Sequence, residues 1–160
     1  MKILILAVLG LFSFSVKTFS QSALSSLLPL YLDLKNALVN DDATDASKKA
    51  TALFNAINNV DTKSLSAKDQ DIFSSLKAKL SYDARHISEV DKIDHQREHF
   101  ASLSLNMYTL AKAVKLSTQP IYEEYCPMKK AYWLSAESEI KNPYFGNQML
   151  TCGNVANTLQ

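Results

Sequence analysis

Residues 93–114 read IDHQREHFASLSLNMYTLAKAV, and this stretch decides the fold. At 100° per residue, Ile93, Phe100, Leu103, Met107, Leu110 and Val114 fall within an arc of about 100°, the width of an apolar stripe on a core-facing helix. His99 lies just outside the edge of that stripe. His95, four residues earlier, shares its flank and faces solvent more.

Working outward, Leu30 to Gln119 contains neither Gly nor Pro, so the whole segment is expected to be helical. Leu24, Leu27, Leu28, Tyr31, Leu34 and Leu38 form one face, ended by Asn40-Asp41-Asp42, which is also a good start for the next helix. Ala43, Ala46, Ala50, Leu53, Phe54 and Ile57 form a second face, which stops at Asn58-Asn59. A third helix is predicted from about Ser66, whose hydroxyl can cap it with Asp69 at the third helical position, to about Ile87. Ser88 is then expected to cap the helix that carries His95 and His99. Four helices with short connections predict an all-α fold, an antiparallel four-helix bundle spanning about residues 24–116.

Beyond Pro120 the character changes. Pro120 to Gly153 holds three of the four Pro and two of the three Gly, together with six of the aromatics: Tyr122, Tyr125, Tyr132, Trp133, Tyr144 and Phe145. An irregular, aromatic-rich C-terminal cap over about residues 118–160 is expected, folded back on one end of the helices.

The first twenty residues read differently again. Lys2 precedes the apolar run Ile3 to Phe14, and Thr18-Phe19-Ser20 places small residues at −3 and −1 of a cut before Gln21, the layout of a secretory signal peptide. The protein is therefore expected to be exported, periplasmic or otherwise, as a single domain over 21–160. No membrane span is expected once the signal is removed. The chain has 17 Lys+Arg against 16 Asp+Glu with no basic cluster, which argues against a nucleic-acid partner.

Of the five sulfurs after residue 20, four lie on two short segments, Cys126-Pro127-Met128 and Met149-Leu-Thr-Cys152; only Met107 lies elsewhere. Thiolates and thioethers are soft donors, so a site combining them suits Cu(I), with Ag(I) or Zn(II) as other candidates. The competing reading is a disulfide. Cys126 and Cys152 would close a loop of about 26 residues, stabilising by roughly 3 kcal/mol, with the methionines filling gaps in the core. In that reading the protein is a stapled interaction module whose Tyr122, Tyr125, Trp133 and Tyr144 dock a partner. Two unrelated thiols are the third alternative. His86, His95 and His99 are more often surface or capping residues than ligands, although the His95/His99 spacing can bind a metal. Gln96 stands where a zinc-hydrolase helix carries Glu, and no nucleophile, base and orienting group share a recognisable spacing, so an enzyme is not expected.

Several strings resemble a known family: Gln96-Arg97-Glu98-His99-Phe100 with Leu103-Ser104, Tyr125-Cys126-Pro127-Met128, Trp133-Leu134-Ser135, Ile140-Lys-Asn142-Pro143-Tyr144-Phe145-Gly146 and Met149-Leu-Thr-Cys152-Gly153. They are similar to a small secreted domain of unknown function, found alone and as the C-terminal extension of CusB-like heavy-metal efflux periplasmic adaptor proteins of the copper and silver type. The resemblance implies periplasmic metal handling, with Cys126, Met128, Met149 and Cys152 as soft ligands and His99 as a fifth. A heavy-metal efflux adaptor, or another periplasmic copper protein, is the partner it implies. One helical unit cannot supply an adaptor's remaining domains, so a free carrier or sensor is the expected form.

Overall fold

A computed structural model describes residues 23–160; the expected signal peptide lies outside the described residues. Four helices come first, α1 (Leu27–Val39), α2 (Ala43–Asn58), α3 (Ala67–Glu89) and α4 (Ile93–Ala113), followed by three strands, β1 (Ile121–Cys126), β2 (Ala131–Ser135) and β3 (Asn154–Leu159). The helices follow the apolar spacing, and two of their starts follow the predicted chemistry. Asp42 accepts from the Asp45 backbone N–H at 2.8 Å, and Ser66 accepts from that of Asp69 at 3.2 Å. Ser88 does not cap α4. Its hydroxyl donates back to the Arg85 carbonyl inside α3, and α4 starts after Lys92 without a side-chain cap. Gln96 does the joining there, its amide donating towards the carbonyls of Ala43, Ile87 and Val90.

Successive helices pack on one another, and α4 packs in turn against β2. The apolar core runs from Leu24 to Tyr144 and takes in residues of every helix and of β1 and β2. At its centre Tyr31 stacks on Phe100 with ring centroids 5.2 Å apart, while its hydroxyl shares a 2.7 Å hydrogen bond with Ser104 and accepts from the Leu134 N–H at 3.0 Å. One side chain thereby ties α1, α4 and β2 together.

The all-α expectation is corrected in the C-terminal part, which is an antiparallel sheet in the order β2-β1-β3 and not an irregular cap. The Gly and Pro residues that suggested irregularity sit in the connections. Pro127 to Lys130 forms a four-residue turn, with Lys130 at φ 57° and its N–H on the Cys126 carbonyl at 2.8 Å. The strands between are rich in aromatic and apolar residues that pack well on a half-buried pleated surface. Trp133 and Tyr144 are buried, 0% and 4% exposed, so the aromatic docking surface is corrected too: half of it is core.

Candidate functional site

The α1–α2 corner anchors the C-terminal part. Asp41 sits at φ 58°, its N–H on the Leu38 carbonyl while the Asp42 N–H reaches that of Ala37, a paired-bond helix ending that glycine usually serves. Aspartate fits here because both carboxylate oxygens are used. Oδ1 accepts from Arg97 Nη2 at 2.5 Å and Oδ2 from the Asn147 N–H at 3.0 Å. These donors hold the Asp41 carboxyl below its usual range, the Asn147 N–H contributing most. Arg97, nearly buried, also donates from Nε to the Pro143 carbonyl at 2.8 Å and from Nη2 to that of Leu38 at 3.0 Å. Gly146, at φ 52°, lies so close that a Cβ there would run into the Asp41 carboxylate.

From this anchor the chain reaches the sulfurs. Asn142, fully buried, accepts from the Tyr144 N–H at 2.8 Å and donates from Nδ2 to the Cys152 carbonyl at 2.6 Å. The Cys152 N–H donates to the Met149 carbonyl at 3.0 Å, so Met149 and Cys152 share one turn. Gly153 is needed where this turn enters β3, because a Cβ would stand 2.9 Å from both Trp133 Cη2 and the Tyr125 carbonyl oxygen. On the facing side, Cys126 ends β1 and Met128 sits in the turn that follows.

The two thiols meet. Both cysteines are free, and the Cys126 sulfur is a close neighbour of the Cys152 thiol. Partial burial and the neighbouring Cys126 sulfur push the Cys152 thiol up, and the Met128 backbone N–H beside it opposes the shift. The Lys129 N–H points at Cys126 Sγ from 3.4 Å. Cys126 is buried, Cys152 half-buried, and the side chains of Met128 and Met149 are exposed, 65% and 37%. Two thiols beside backbone N–H donors, with thioethers on the same two turns, form a donor set that fits Cu(I) or Ag(I). Among the described residues no three His, Cys, Asp or Glu side chains converge as a metal-holding group, so the set does not resemble an ordinary zinc cage.

His99 is placed elsewhere. Its ring faces α3, with Nδ1 3.2 Å from Asp83 Oδ1, and lies against the rings of His86, His95 and Tyr82. Meeting His86 required knowing how α3 packs on α4; the shared flank of His95 and His99 was visible from their spacing. A buried acid also escaped the sequence reading. Glu124, on β1, is 0% exposed with no hydrogen-bond partner at either carboxylate oxygen; Trp133 Nε1 lies towards it, short of a well-formed bond. Burial raises its pKa from 4.5 to about 7, against the pull of the Lys35 ammonium. Two clefts, of about 450 Å³ beside Leu28 and Ile121 and about 520 Å³ beside Lys35 and Lys141, include no cysteine or histidine. Among the described residues no helix is long and apolar enough to cross a membrane.

A family model described as a protein of unknown function, DUF3347, matches residues 27–119. The matched segment covers all four helices and ends before β1, so the strands and Cys126, Met128, Met149 and Cys152 lie beyond it. No curated protein and no solved structure matches the chain. On the strength of the match across its helical part, the chain belongs to the DUF3347 family.

Proposed function

We propose that the protein binds a soft monovalent metal ion, Cu(I) foremost, through Cys126 and Cys152 with thioether support from Met128 and Met149. The observation that carries this reading is the closeness of two free thiols on turns that each present an exposed methionine. Soft ions favour such sulfur donors over the oxygen and imidazole ligands available elsewhere on the surface. The signal-like N-terminal sequence supports an activity outside the cytoplasm. Sequestration of copper, or its delivery to a heavy-metal efflux adaptor or another periplasmic copper protein, is the role that follows, with Ag(I) sharing the chemistry and Zn(II) the less suited candidate. His99 is left out of the set because its ring lies between α3 and α4 among Tyr82, His86 and His95, not with the cysteines.

The test is a titration of the reduced protein with Cu(I) against a competing chelator, accompanied by a thiol count on the protein as isolated. One tightly bound Cu(I), lost in the Cys126→Ser/Cys152→Ser variant, is expected. The same closeness of the thiols also favours a second reading, a disulfide staple. Zero free thiols as isolated, with no Cu(I) uptake after reduction, would establish that reading in place of the first.

A further inference from the structure

Away from the sulfurs, α3 and α4 bring three histidines together. The His99 ring centroid lies 4.8 Å from that of His86, on α3, and 5.0 Å from that of His95, one turn earlier on α4. Each ring has its Nδ1 beside an oxygen acceptor. His86 Nδ1 is 3.0 Å from the Tyr82 carbonyl, His95 Nδ1 is 3.2 Å from a Glu98 carboxylate oxygen, and His99 Nδ1 is 3.2 Å from Asp83 Oδ1. A carbonyl or carboxylate oxygen can only accept, so in each neutral ring the proton sits on Nδ1 and the lone pair on Nε2. An imidazole whose Nδ1–H is held by a carboxylate or carbonyl, with Nε2 free, is how proteins orient and strengthen histidine as a metal ligand. The Asp83 contact is the firmest of the three, since its side chain is only 5% exposed and that of His99 18%.

We propose that His86, His95 and His99 form a second metal site, for a divalent transition-metal ion of borderline softness such as Zn(II), Ni(II) or Cu(II). Imidazole suits these ions, as it does not suit Mg(II) or Ca(II). As the rings stand, no three donors converge on one point, so the site closes by rotation of its outer members. His95 has room to do this: its side chain is 46% exposed, and the carboxylate that holds its Nδ1 belongs to Glu98, itself 63% exposed. His99 stays fixed by Asp83 and acts as the pivot. The site is independent of the sulfur ligands and uses none of them.

The test is Zn(II) titration, by calorimetry, of the Cys126→Ser/Cys152→Ser protein, so that uptake there does not depend on the sulfur site. One bound Zn(II) is expected, weakened tenfold or more by His86→Ala and by His95→Ala separately and lost when both are changed. These residues are chosen because neither is buried, whereas removing His99 would strand the buried Asp83 carboxyl. Binding unchanged by both substitutions would overturn the proposal, as would its absence from the unsubstituted background. A second measurement covers the case in which the serine background fails to fold. In the parent protein, Zn(II) should shift the imidazole Nε2 resonances of all three histidines, and unshifted resonances would overturn the site.

Discussion

The helices and the C-terminal sheet are held by different means. Residues 27–113 are joined by apolar faces, with polar groups mostly at the ends, where Asp42 and Ser66 serve exposed backbone N–H groups. The part beyond Pro120 is fixed by polar contacts that are themselves buried: Arg97 reaching Pro143 and Asn142 holding Cys152. Apolar packing tolerates small shifts in side-chain position, whereas a buried polar group without its partner carries a full desolvation penalty. Placing two thiols against each other needs the second kind of constraint. The difference teaches that the sulfur pair is held in place by residues far from it in sequence.

The sharpest way to break that contrast is to remove the anchor. Arg97→Ala deletes a nearly buried guanidinium serving two carbonyls and one carboxylate, and should destabilise the protein by about 4 kcal/mol, read as a lowered urea midpoint. A loss below about 1 kcal/mol would mean that the sheet needs no polar anchor.

Glu124 sharpens the comparison through pH. Its folded pKa of about 7 exceeds the ordinary 4.5, so between those values the folded chain binds more protons than the unfolded one. Its contribution is fully present below pH 4.5 and is lost as pH rises through about 7. Glu124→Gln should remove this slope, leaving the variant more stable than the parent by up to about 3 kcal/mol above the window and by progressively less towards acid. Parallel stability profiles from pH 4 to 8, measured by denaturation, would contradict the assignment.

The smallest effect belongs to the helices. Ser66→Ala strips one exposed acceptor from the Asp69 N–H and should cost about 1 kcal/mol by the same denaturation measurement. A cost as large as that of Arg97→Ala would erase the distinction between the two regions.

The same distinction governs what could be read in advance. Helix order, the α3 cap at Ser66 and the flank shared by His95 and His99 were legible, because they depend on local spacing and local hydrogen bonds. The sheet was not: Pro127, Gly146 and Gly153 suggest an irregular cap, whereas they mark turns and close approaches that join strands to the rest of the fold. The strings Gln96-Arg97 and Asn142-Pro143-Tyr144-Phe145-Gly146 carried the family resemblance without showing why. Their work is structural, since Gln96 ties α2, α3 and α4 together and Arg97 meets Pro143 and Asp41 from three separate places in the chain. Such long-range polar contacts have no periodicity to betray them. Of the candidate ligands, the pairing of Cys126 with Cys152 was visible from the two opposed segments, while the separation of His99 from them depended on which face of α4 meets α3.

The most direct test of the central claim is X-ray absorption spectroscopy at the copper edge on the reduced protein loaded with one equivalent of Cu(I). The account predicts a first coordination shell made of sulfur alone, unchanged by His99→Gln. A shell containing nitrogen or oxygen, or one that survives Cys126→Ser/Cys152→Ser, would contradict it.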